Sequence, residues 1–235
     1  EFSKQISSTN LAIEYVKKNG PIEGDVATLI NHTDYDSLMS VAIMRGMLPP
    51  NDEFGVAAIA ADHTGEPNHL ADLLQAFDQE RDIEFSYRNL ELFLKGEPIE
   101  EKAQQLLEKR FAEREKCLKL VEKGFQFSPK GKLAYLETGE RIDSGLLPAL
   151  MPSAELILLM CPRAKDKETG VIPPGKEAKL RLGMAAPEST DLRDIMKQID
   201  PNFGGRWNAG SNGRNGGTML PLEEYVPKLV EVVEV

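Results

Sequence analysis

Cysteine, tryptophan and histidine are scarce: two, one and three residues in a chain of 235. Cys117 and Cys161 lack metal-knuckle spacing, which excludes a disulfide-stapled secreted scaffold and points to reduced thiols in the cytoplasm. Positive charge is also short, with 28 Lys and Arg against 38 Asp and Glu and a net charge of −10. That balance argues against duplex nucleic acid as a partner, because counterion release needs clustered cations. A small anion in a local positive pocket stays compatible with it. No long apolar run occurs. The most apolar stretch, LLPALMPSAELILLMC, is broken by two prolines and a glutamate, so a membrane span and a membrane partner are not expected. No secretory leader pattern is read at the N-terminus.

The apolar fraction of 41% is enough to bury a core, so one large or two small domains are expected. Residues 9–19 have an amphipathic helical pattern, with Ser8 or Thr9 as cap and Gly20 as stop. Two apolar runs of strand length follow, DVATLIN at 25–31 and GVAAIAA at 55–61, each leading into a helical segment. Strand and helix in alternation predict a parallel sheet. Residues 98–123 are strongly helical and charged, with many i,i+4 pairings of opposite sign. Beyond Gly124 the chain turns to short strands, FQFS, KLAYLET, AELILLM and AKLRLGM, and a helix, STDLRDIMKQI. The expected fold class is α/β: a small parallel-sheet domain over 1–97, a helical linker over 98–123, and a smaller mixed-sheet domain over 124–235.

All three histidines fall in the first part. HTDYD and DHT each begin where an apolar run ends, and in a parallel sheet the two ends lie on one edge, where such folds place ligands. His32, Asp34, Asp36, Asp62 and His63 are therefore candidates to converge. Imidazole with carboxylate suits a catalytic divalent ion such as Mn, Fe or Zn rather than Ca. Bridged ions can generate hydroxide and polarise a phosphoryl oxygen. Taken singly, each residue has a plainer reading: Asp36 as a helix N-cap, Asp34 as a solvated loop residue, His32 as a strand-end histidine. His69 is expected on the following helix, beside the site or at the surface.

A second constellation, FGGRWNAGSNGRNGGT, packs six glycines into residues 204–217 with Arg206, Trp207, Asn208, Asn212 and Arg214. Glycines let backbone N–H groups approach an anion, and arginine clamps phosphate through two parallel hydrogen bonds. The plain alternative is a flexible surface loop.

NHTDYDS after an apolar run resembles the first motif of the DHH phosphoesterase family, and AADHTG is similar to that family's Asp-His-His motif, with Thr64 in place of the second histidine. FDQERDIEF resembles the later acidic segment, with Asp82 or Asp78 as its aspartate. FGGRWNAG is similar to the glycine-rich motif of the substrate domain that follows in the same family, with Arg206 where the run ends. The resemblance implies two Mn ions (Mg, Fe or Zn being alternatives), held by His32, Asp34 and Asp36 from the first motif and by Asp62 and His63 from the second. Asp62 and His63 would then be catalytic. Gly204, Gly205, Arg206, Asn208, Gly210 and Arg214 would bind substrate, and Asp82 and His69 are further candidates.

The implied activity is a metal-dependent phosphoesterase on a small phosphorylated substrate: a short oligonucleotide, a nucleotide or polyphosphate. Two readings stand beside it. One is a catalytically inactive regulatory protein that binds phosphate or nucleotide, favoured by the missing intermediate aspartate motif of that family and by Thr64 in place of the histidine. The other is a structural subunit that uses the charged helix as a contact surface. Assembly as a homodimer is open.

Overall fold

The computed structural model describes residues 6–30 and 32–234. The chain is mixed α/β and divides into two compact units, 1–115 and 116–235. The division falls inside one long helix.

In the first unit α1 (Ser8–Asn19) ends at Gly20, as its sequence predicts, and starts at the cap Ser7, ahead of the expected Ser8 or Thr9. Gly20 has a φ of 78°, a region that favours glycine. Next come α2 (Tyr35–Met44), α3 (Asp52–Ile59), a π-helical turn (Ala60–Thr64), α4 (His69–Phe77), α5 (Ile83–Leu94) and α6 (Glu101–Gly124). Among the described residues this unit contains no strand, so the expected parallel sheet over 1–97 is corrected.

The correction has a local cause. The run at 55–61 is rich in alanine, the best helix former, and Asn51 caps it while Asp52 and Glu53 sit in the first turn. A short apolar run does not declare its period, and here capping decides for helix. That leaves residues 25–30 without a neighbouring strand. Residues 25–29 are exposed, with Leu29 95% accessible; Ile30 is half-buried against the helical core, and Asn31 lies outside the described residues. The core comes from helix faces instead: Tyr35, Leu38, Met39, Ile43, Leu73, Leu74 and Phe77 are fully buried.

The second unit holds a six-stranded mixed sheet in the order β1-β2-β3-β4-β6-β5. The strands are β1 (Gln126–Phe127), β2 (Leu133–Glu137), β3 (Leu156–Pro162), β4 (Lys176–Leu182), β5 (Gly204–Gly205) and β6 (Ala209–Ser211). Only β2 and β3 pair in parallel; the other pairings are antiparallel. β3 is apolar at nearly every position because both of its faces are covered. Leu156, Leu158 and Met160 pack toward α8 (Leu192–Met196) and α9 (Leu222–Val233). Ile157 and Leu159 pack with Leu146, Leu147 and Met151, around α7 (Leu147–Leu150), and with Cys117 near the end of α6. Cys117 and Cys161 remain thiols.

Candidate functional site

The two sequence constellations lie in different units. In the first, HTDYD does not end a strand; it opens α2. Asp34 is the N-cap, its Oδ1 accepting from the Ser37 N–H at 2.9 Å. Tyr35 turns into the core and donates its hydroxyl to the Phe54 carbonyl at 3.0 Å. Burial raises its phenol far above the ordinary value, and the neighbouring Asp36 adds to this. Asp36 points to α1, where it accepts from the backbone N–H groups of Ser8 and Thr9, both at 2.8 Å, and from their hydroxyls at 2.6 and 2.7 Å. Burial pushes the Asp36 carboxyl pKa up. The hydrogen bonds from Ser8 and Thr9 outweigh that and hold it below the usual range. His32 is exposed.

Asp62 and His63 occupy the π-helical turn, which closes on Gly65 at a φ of 71°. Arg114 of α6 donates to the Gly65 carbonyl at 2.6 Å and to the buried Asp72 of α4 at 2.7 Å, and Arg110 meets the same carboxylate at 3.2 Å. The charged helix therefore pins this turn, a role that its i,i+4 pattern did not announce. Thr33 donates to the carbonyl and carboxylate of Asp78 at 3.0 and 3.2 Å, which brings Asp78 beside the HTDYD motif. Asp82 is the N-cap of α5, accepting from the Phe85 N–H at 2.9 Å, and His69 is the exposed first residue of α4.

Among the described residues no three His, Cys, Asp or Glu side chains are grouped so as to hold a metal ion. As arranged, Asp34 gives one oxygen to the N-terminus of its own helix, and Asp36 gives both of its oxygens to α1.

In the second unit the glycine run is a small hairpin rather than a loop. Gly205 faces Gly210 across β5 and β6, and the Arg206 N–H closes the turn on the Ala209 carbonyl at 2.8 Å. A Cβ on Gly205 would lie 2.4 Å from both the Ala209 oxygen and the Gly210 Cα. Close backbone approach explains glycine here whether or not an anion binds. Arg206 and Arg214 are exposed. Asn208 is buried. Asn212, fully buried, accepts from the Ala178 N–H at 2.9 Å and donates to Asp200 at 2.7 Å; the Tyr225 hydroxyl donates to that carboxylate at 2.8 Å. This network anchors β6 and the turn after it to β4 and α9.

The cations beside that hairpin are not singled out by sequence motifs. The register places Glu177, Lys179 and Arg181 of β4 on one face, with Lys179 opposite Ser211 and Arg181 opposite Ala209. Lys179 Nζ donates to the Ile142 carbonyl at 3.2 Å, Arg181 Nε contacts Ser144 Oγ at 3.4 Å, and Arg141 pairs with the buried Glu177. Burial raises the nearby Cys161 thiol and keeps it neutral, with Lys179 opposing the shift. Arg163 donates to the carbonyls of Pro174 and Gly213, both at 3.2 Å. The signal that could have found this row is charge at every second position of EAKLRL.

No protein-family model and no curated protein matches the chain. Among solved structures it is similar to a pGpG-specific phosphodiesterase, PggH from Vibrio cholrae, at a TM-score of 0.49 and 9% identity, over 100% of this chain and 95% of that one. It is also similar to exonuclease RecJ bound to manganese, at a TM-score of 0.40 and 14% identity, over 96% of this chain and 54% of that one. An exopolyphosphatase-related protein from Bacteroides Fragilis gives a TM-score of 0.41 and 13% identity, over 83% of this chain and 54% of that one. The chain thus spans about half the length of the latter two. Likeness at these scores is silent on function.

Proposed function

We propose that the chain is a phosphoesterase acting on a small phosphorylated molecule, a short oligonucleotide, a nucleotide or polyphosphate, whose phosphate is held by the second unit. The observation that carries this reading is the row of cations along β4, Lys179 and Arg181, running beside the glycine hairpin. Arg206 at the hairpin tip and Arg214 on the next turn supply exposed guanidinium groups, which suit bidentate phosphate contacts. Within this reading the glycines set the hairpin's close pairing, the arginines orient the phosphate, and Trp207 offers a surface for a base to stack on. Manganese dependence is implied by the sequence resemblance; among the described residues no three His, Cys, Asp or Glu side chains are grouped so as to hold the ion. The second reading, a regulatory protein that binds without cleaving, is favoured by the engagement of Asp36 with α1.

The test uses a labelled guanine dinucleotide such as pGpG and inorganic polyphosphate, with Mn or with chelator. Binding to wild type is compared with binding to Arg181→Ala, Arg206→Ala and Arg214→Ala, and cleavage is followed by chromatography. Loss of one guanidinium contact should weaken binding about tenfold to a hundredfold, the equivalent of roughly 1.5–3 kcal/mol. Binding without cleavage under either condition selects the regulatory reading. Equal affinity in all three variants removes the phosphate site.

A further inference from the structure

We infer that Asp36, the third position of HTDYD, is a clasp that fastens α1 to α2 and is not a cation ligand. The first N–H groups of any helix lack intrahelical partners. At the N-terminus of α1 each is accounted for. Ser8 and Thr9 donate their N–H groups to the two Asp36 carboxylate oxygens. Asn10 donates to the Ser7 hydroxyl at 3.2 Å, and the Leu11 N–H reaches the Ser7 carbonyl at 3.2 Å as the first regular helical bond. Remove Asp36, and two donors lose their acceptor, one of them on the fully buried Thr9.

The arrangement is specific as well as complete. The Ser8 hydroxyl shares Oδ2 with its own N–H, and the Thr9 hydroxyl shares Oδ1 in the same way. The partial positive charge at a helix N-terminus favours the carboxylate further. Asp34 is the N-cap of α2, with extended backbone at a φ of −68° and a ψ of 169°, and Asp36 is the second residue of the helix. One caps its own helix while the other reaches across to α1. The clasp does not rest on the phosphoesterase reading, because it concerns how the motif is used and not what the second unit binds.

The two roles predict opposite signs in metal-free buffer. A carboxylate in an empty ligand cluster suffers like-charge repulsion, so its removal raises the melting temperature. Removal of a clasp lowers it. Full-length wild type, Asp36→Ala, Asp36→Asn and the double variant Ser8→Ala/Thr9→Val are melted in chelator, along with the combination of Asp36→Ala and the double variant. Asp36→Ala should lower Tm by roughly 5 °C or more, with Asp36→Asn and the hydroxyl variant in between. The combined variant should melt no lower than Asp36→Ala alone, because both sets of changes remove the same contacts. If Asp36→Ala does not fold, Asp36→Asn and the hydroxyl variant take its place, and each should still melt below wild type. Calorimetric titration with Mn should give equal heats in wild type and Asp36→Asn. An unchanged or raised Tm on removing Asp36, or a Mn heat present in wild type and lost in Asp36→Asn, overturns the clasp.

Discussion

Replacing Asp72 by alanine is expected to destabilise the helical unit by about 3–5 kcal/mol, the usual range for removing one partner of a buried ion pair. Asp72 is only 3% exposed and receives both Arg110 and Arg114. Without the carboxylate, two guanidinium groups with little access to water lose a charge that both of them engage. Arg114 would also lose the brace that aims it at the Gly65 carbonyl, so the turn bearing Asp62 and His63 loosens. Chemical denaturation with urea checks this: the midpoint should fall by more than about 1 M at an unchanged slope. Asp72→Asn should fall between, keeping an acceptor and losing the charge. A loss under about 1 kcal/mol in Asp72→Ala would show that solvent already screens the cluster.

The second large effect is expected from a single methyl group. In Gly205→Ala the new Cβ meets backbone atoms on the opposite strand, and backbone cannot swing aside as a long side chain can. Overpacking of this kind costs about 1–3 kcal/mol, and the cheapest relief is to open the hairpin. Faster amide exchange at Arg206 and Gly210 together with a lower Tm is the expected result. Binding of any ligand that depends on the hairpin should fall with it. Gly139→Ala is the control, since nothing lies within 4 Å of its Cβ position. Equal behaviour of the two variants would mean that the β5–β6 pairing is not held in solution.

The second unit was the more legible in sequence. Its longer strands announce themselves in two ways, β3 as a continuous apolar run and β4 by charged and apolar residues in alternation, with Gly175 and Gly183 flanking β4. The glycine run was visible as a feature, but its hairpin was not, because glycine has no β propensity to read. The first unit misled at 25–30 and 55–61, where apolar runs of strand length carry no period and only the neighbours decide. The aspartates of HTDYD were legible as chemistry. Which helix each one serves was not, since the partner of Asp36 lies 28 residues earlier, at Ser8. Arg110 and Arg114 were hidden for the same reason: their charge reads as solvated until Asp72 is known to be buried beside them.

The pairing of β2 with β3 has a consequence for how the chain reaches this structure. A parallel pair cannot zip from a tight turn; it must wait until the connecting segment at 138–155 has closed. β4 and β6 likewise meet only after the segment at 183–208 has folded back. Helices of the first unit draw on neighbours a few residues away, so they form early, and the sheet sets the slow step. Refolding followed at two wavelengths should therefore show helical signal ahead of the completion of the sheet, and the strand edges of the second unit stay open to association during that interval.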